Sequence, residues 1–151
     1  MMRSYVFPFL LATLGCGSAG QRFQGVYRVT GTVYSSIPEL GNRASEVSET
    51  FRISEGGDSE LVLTDSAGRC LLRARVEDEV ALLERGATCS WSEEGLQWTL
   101  LPTRGTVSLS GGSGRFDMGG AVRVTARGRT YLGEFFQNAT LTRMGDGPAP
   151  F

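Results

Sequence analysis

The sequence predicts an all-β protein in which antiparallel strands follow one another as a meander. The strongest observation is the stretch 116–126, where small or apolar residues take every second position and polar residues fill most of the others. A period of two is typical of a strand with one buried face and one exposed face. Turn signals recur at short, regular intervals, and no segment has a convincing helical period.

The chain order predicts where the strands and loops lie. The segment 35–46 is polar and contains Pro38 and Gly41, so it is expected to be a long loop after the first strand. The segment 76–85 has a helical composition, but turn signals flank it, so it is predicted as strand. The predicted strands cover residues 25–34, 48–54, 60–64, 70–76, 80–83, 89–91, 96–101, 106–110, 115–126 and 130–144.

Local signals predict several details of the later strands. Pro102 is expected to end its strand because proline cannot donate to a ladder. If Glu93 and Glu94 form the tip of a hairpin, Trp98 lies opposite Cys89 and its indole packs beside that cysteine. The sequence 111–114 (GGSG) reads as a turn, and Arg127-Gly128-Arg129 turns the last long hairpin.

About eight to ten strands with short connections favour an up-and-down barrel, which leaves no free sheet edge. A β-sandwich is the alternative fold. In the predicted barrel six larger side chains point inward, and they either line a cavity for a small apolar ligand or fill a core. These candidate lining residues are Tyr27, Phe51, Phe116, Met118, Tyr131 and Phe135.

Composition argues against several functions. The net charge is −1, so no basic surface for nucleic acid is expected. Histidine is absent, which removes the commonest general base and metal ligand. No nucleophile, base and orienting group can be assembled from the remaining residues, so we expect no enzyme, no metal site and no cofactor.

The N-terminus has the pattern of an export signal. A basic start precedes the apolar run Tyr5–Leu14, which is too short to span a bilayer. Thr13-Leu14-Gly15-Cys16 resembles the lipobox of bacterial lipoproteins. That resemblance implies a signal peptide over 1–15, a diacylated Cys16 and a flexible tether over 16–22. Cleavage after Ala19, which would release a soluble secreted protein, is the alternative.

The three cysteines are consistent with this processing. If Cys16 carries lipid, Cys70 and Cys89 remain as an even pair in an oxidising compartment, and we expect a disulfide between them. Closing a loop of this size contributes about 3 kcal/mol in the chain-entropy model. A metal pair lacks further ligands, and a catalytic thiol lacks an activating histidine.

The start of the domain resembles the calycins, meaning lipocalins and their relatives. The resemblance rests on Phe23-x-Gly25-Val26-Tyr27-x-Val29-x-Gly31, the long first loop, the meander and a late basic residue. It implies one lipocalin-like barrel over 23–144, closed at one end by Tyr27 with Arg143 packed across its ring, before a disordered tail over 145–151. A cation–π contact of this kind contributes about 0.5–2 kcal/mol.

These features together predict a non-enzymatic, monomeric lipoprotein of the bacterial cell envelope, on the outer membrane if the host is Gram-negative. Its membrane contact is the N-terminal lipid, and its barrel binds a small apolar ligand or an envelope protein. The alternative is an exported protease-inhibitor-like module. Bacterial metalloprotease inhibitors are similar small barrels with one disulfide, in which an N-terminal segment blocks the active site.

Overall fold

The protein folds as an antiparallel, nine-stranded meander in the computed structural model, which describes residues 19–57 and 60–145. The predicted signal peptide, Cys16 and the tail from residue 146 onward lie outside the described residues. A short 3-10 turn, Gln21–Phe23, precedes the strands. The strands are β1 (Gly25–Ile37), β2 (Gly41–Ser54), β3 (Leu61–Asp65), β4 (Cys70–Glu77), β5 (Val80–Leu83), β6 (Thr88–Glu93), β7 (Leu96–Ser110), β8 (Ser113–Ala126) and β9 (Arg129–Gly145).

Hydrogen bonds join eight strands into a closed ring, which confirms the predicted fold class and gives a barrel-like shape. The order around the ring is β3-β2-β1-β9-β8-β7-β5-β4, and β4 pairs back onto β3. β5 and β6 share the space between β4 and β7. β5 pairs with the later part of both strands, and β6 pairs with the earlier part of both.

The predicted long loop over 35–46 is wrong. β1 continues to Ile37 and β2 begins at Gly41, so only three residues connect them, and the Leu40 amide donates to the Ile37 carbonyl at 3.0 Å. The long first loop, one of the features on which the resemblance to the calycins rested, is therefore absent. The segment looked like a loop because its inward-facing residues line an open pocket and need not be apolar.

The later hairpins follow the predicted chain order but differ in register. The tight turn between β6 and β7 lies at Glu94-Gly95, both with positive φ, which matches the right-handed twist of the strands. Trp98 consequently lies opposite Trp91, and Cys89 lies opposite Leu100, so the predicted Trp98–Cys89 pairing is wrong. The turn at Arg127-Gly128 and the long β8–β9 hairpin are as predicted.

Pro102 does not end its strand, β7, as had been predicted. β7 continues to Ser110, and the register with β8 shifts between Pro102 and Arg104. The irregularity absorbs the missing amide donor, as bulges do elsewhere in sheets. The predicted turn 111–114 is also shorter, because Ser113 and Gly114 already belong to β8.

Three inward glycines permit close approach between strands. A Cβ atom at Gly31 would overlap the Asn138 carbonyl oxygen, and one at Gly133 would overlap the Ser36 carbonyl oxygen. Gly120 is equally close to the backbone of β7. These glycines accommodate strand curvature, and the space beside them is already occupied by backbone.

One end of the ring is closed by the N-terminal turn. Phe23 and Tyr27 are completely buried there, and the Tyr27 hydroxyl donates to the Phe23 carbonyl at 2.8 Å. The Arg143 guanidinium lies 5.0 Å from the Tyr27 ring centroid and donates to the carbonyls of Gln24 and Arg22, each at 2.7 Å. The structure thus places the predicted pair together, and Arg143 also bonds to Arg22, the last residue of the predicted tether.

We expect Arg143→Ala to lower the free energy of unfolding by about 2–3 kcal/mol, because it removes the cation–π contact and two charge-assisted hydrogen bonds. Urea unfolding measures this difference. The matched control is Arg123→Ala on the exposed face of β8, which should change stability by less than about 0.5 kcal/mol. Equal stability of Arg143→Ala and the unsubstituted protein would contradict the role of this closure.

Candidate binding pocket

The second end of the ring is open because the β3–β4 hairpin is short. β3 pairs only with residues 51–54 of β2, so residues 41–49 of β2 have no ladder on that side. β6 likewise pairs with β4 only at two positions. The wall is therefore incomplete between β2 and β6, and a pocket of about 520 Å³ opens into the interior there.

The inner part of this pocket is apolar and aromatic. Phe51, Leu100 and Met118 lie on its wall, and the Phe51 ring meets Phe116 edge-on at a centroid distance of 5.9 Å. Trp91 and Trp98 also line it, stacked with centroids 6.0 Å apart and planes within 5°. Both tryptophans of the sequence therefore lie at the pocket.

Two arginines form three ion pairs at the mouth, where the wall is incomplete. Arg43 on β2 contacts Glu93 on β6 at 2.9 Å, so this pair bridges the gap between the two strands. The Arg43 guanidinium also lies 5.3 Å from the Trp98 ring centroid. Arg69 contacts Glu49, and its Nε donates to Asp65 at 3.3 Å.

Glu49 is the titratable group whose environment is most clearly perturbed. Burial raises its pKa above the ordinary glutamate value, the attraction of Arg69 lowers it, and the neighbouring Asp65 carboxylate raises it again. Since the raising effects prevail, the attraction of Arg69 does not offset the cost of burying the ionised Glu49 carboxylate.

Trp98 carries an unused hydrogen-bond donor. Its side chain is only 6% exposed, and no acceptor among residues 19–57 and 60–145 contacts its buried Nε1. Buried donors in native proteins are nearly always paired, because an unpaired one loses its hydration without compensation. The opposite wall has a second buried polar side chain, that of Gln137.

The predicted disulfide is confirmed. Cys70 and Cys89 are directly opposite each other on β4 and β6, with Cα atoms 4.1 Å apart. Both cysteines line the pocket. The bond therefore ties the short hairpin to β6 at the place where few ladder hydrogen bonds join them.

The six predicted lining residues do not all reach the pocket. Phe51 and Met118 line it, whereas Tyr27 and Phe116 are fully buried in the packed core and Phe135 is 3% exposed. Tyr131 is partly buried against the same core. Most of the interior is thus filled, and the pocket occupies only the open end.

Sequence reasoning missed most of the polar wall. Arg43, Ser45, Val47 and Glu49 take every second position of β2, a period that extends the strand through the segment predicted as loop. Glu93, predicted to lie at the hairpin tip, is the last residue of β6, and its exposed side chain lies on the rim of the pocket. The alternation along β2 was the available signal, but it is weak because both faces of this part of the strand are mainly polar.

A second, more open groove of about 940 Å³ shares Ser35 and Arg43 with this pocket and extends to exposed residues of neighbouring strands. Tyr34 and Phe136, a cross-strand pair, are exposed there by 51% and 43%. Arg104 crosses the same groove beside Gly119.

Within the part of the chain that the structure describes, no three Cys, Asp or Glu side chains are grouped to hold a metal ion. In those same ranges no helix has the length and apolar character needed to cross a membrane.

No protein-family model matches the chain, and no curated protein matches it. A solved structure that matches is that of a protein of unknown function from the DUF3598 family of Nostoc punctiforme. The two chains are 14% identical, with a TM-score of 0.30 over 80% of this chain and 47% of the other. The chain thus spans about half the length of that protein.

Proposed function

We propose that the protein is a non-catalytic binding protein of the bacterial cell envelope, which holds a small, mainly apolar molecule in the open end of its barrel-like ring. The observation that carries the proposal is the pocket of about 520 Å³, with an aromatic wall and a buried indole donor. Its size lies within the range of small-molecule sites, which are typically apolar clefts with a few placed polar groups.

The protease-inhibitor alternative has less support. It requires an N-terminal segment that protrudes and enters a protease. Residues Gln21–Phe23 instead form a turn on the closed end, with Phe23 fully buried and the Arg22 carbonyl bonded to Arg143. A small-molecule binding protein does not require this segment to protrude.

The lipid anchor at Cys16 would set the orientation of the pocket. Cys16 precedes the buried Gly20 by four residues, which reach at most about 14 Å when extended. That end of the ring is the closed one, and the mouth lies at the far end of strands such as the thirteen-residue β1. An anchored protein would therefore receive its ligand from the aqueous side.

Filling the pocket should abolish binding. Ser35 lies on the pocket wall, and we expect Ser35→Phe to weaken the binding of N-phenyl-1-naphthylamine, a neutral fluorescent probe, by about tenfold or more. The fluorescence of the probe gives the dissociation constant. The matched control is Thr30→Phe, which puts the same ring on the exposed face of the same strand and should leave the constant unchanged.

Melting temperatures of both variants establish that they are folded. Equal binding by the folded Ser35→Phe variant would overturn the proposed pocket, as would a lack of saturable binding both of this probe and of small charged apolar probes.

The anchor is tested by Cys16→Ser. A serine cannot form the thioether to a diacylglyceryl group, so the variant should move from the membrane fraction to the soluble fraction. Immunoblotting of the two fractions measures this. Ser18→Cys in the same variant is a position control, since a displaced cysteine should not restore membrane association. Retention of Cys16→Ser in the membrane fraction would rule out lipid at this residue as the anchor.

A further inference from the structure

We infer that the ligand of this pocket is an organic cation with an apolar body, and that Arg43 occupies the cation position when no ligand is bound. The inference rests on the proposed binding function and specifies its ligand class. It follows from the charges at the mouth, from the contacts of Arg43 and from the aromatic wall.

The charge balance of the pocket favours a cation. The ion-paired side chains at its mouth are two arginines, Arg43 and Arg69, against three carboxylates, Glu49, Asp65 and Glu93, which leaves a net charge of −1. The Arg69 charge is already shared between Glu49 and Asp65. An anionic ligand would have to break these pairs and lie among carboxylates, which costs energy in a partly buried site.

Arg43 makes the contacts that a bound cation would make. Its guanidinium lies over the Trp98 ring at 5.3 Å from the centroid and contacts the Glu93 carboxylate at 2.9 Å. Aromatic faces combined with a carboxylate form the usual recognition site for alkylammonium and guanidinium groups. The Arg43 side chain can also move out of the pocket, because it is 36% exposed. It extends from a part of β2 that forms no ladder on the side facing β6.

Movement of Arg43 into solvent would prepare the site in two ways. The net charge at the mouth would become −2, since only Arg69 would remain against the three carboxylates. The Trp98 face would be free, and the Nε1 donor of this residue would be available to an oxygen on the ligand body. Phe51, Leu100 and Met118 would enclose the apolar part.

Glu49 agrees with this assignment. Burial and the neighbouring Asp65 raise its pKa despite the presence of Arg69, so the ionised carboxylate is destabilised at this position. A ligand cation near the mouth would stabilise that ionised form.

The test uses three probes of similar shape and different charge: benzyltrimethylammonium, neutral neopentylbenzene and anionic phenylmethanesulfonate. Both tryptophans line the pocket, so their fluorescence reports occupancy directly. We expect the cation to bind most tightly and the sulfonate most weakly. We further expect Arg43→Gln to bind the cation about threefold to tenfold more tightly, because it removes the internal competitor.

Two further variants control this experiment. Adding Glu93→Gln to Arg43→Gln should reverse the gain, because the carboxylate partner of the cation is lost. Arg73→Gln, on the exposed face of β4, changes the net charge by the same amount and should leave the affinity unchanged.

The outcomes separate the two proposals. Unchanged or weaker cation binding by Arg43→Gln, tighter binding of the sulfonate, or equal binding of the neutral isostere would overturn the cation assignment while the pocket stands. Failure of all three probes together with the neutral naphthylamine would overturn the binding function itself.

Discussion

The structure depends on a ring of strands that closes through the short β3–β4 hairpin. β3 and β4 join by only four residue pairs, whereas β7 and β8 pair along almost their whole length. A complete wall would need a longer hairpin between β2 and β6. Because the hairpin is short, part of the wall is missing at one end of the ring. The Cys70–Cys89 disulfide joins β4 to β6 there. The same constraint therefore accounts for the pocket, for its position and for the location of the disulfide.

The two ends of the interior have different chemistry for this reason. At the closed end, Phe23, Tyr27 and Phe116 fill the space, and Arg143 satisfies the carbonyls of the N-terminal turn. At the open end the inward positions of β2 are Arg43, Ser45, Val47 and Glu49, which water can reach. Inward charges beside an unpaired strand also hinder edge-to-edge association. The polar rim thus protects the free edges and, in our proposal, selects the ligand.

The sequence predicted the fold well where one strand face is buried. The alternation from Phe116 to Ala126, the turn at Arg127-Gly128 and the disulfide are all present in the structure. The alternation and the turn follow from local patterns, because a buried face imposes apolar residues at every second position. The disulfide was predicted from the number of cysteines and the oxidising compartment expected for an exported protein.

The strand prediction failed where the inner face of a strand is not buried. Residues 35–46 form strand ends whose inner face is a wet pocket, so their composition resembles that of a loop. The Trp98 register depended on whether Glu93 or Glu94 begins the turn, and a shift of one position decides which residue faces Trp98. Arg43 and Glu93 are distant in sequence, and only the three-dimensional gap between β2 and β6 brings them together.

The central claim is that the open end holds a ligand, and native mass spectrometry of the gently purified exported protein tests it most directly. The spectrum is compared with that of the denatured protein. Our account predicts a mass excess that disappears on denaturation, with the denatured chain two hydrogens lighter than its fully reduced form because of one disulfide. Equal masses under both conditions, in protein that has never been exposed to denaturant, would contradict a ligand-binding role for the pocket.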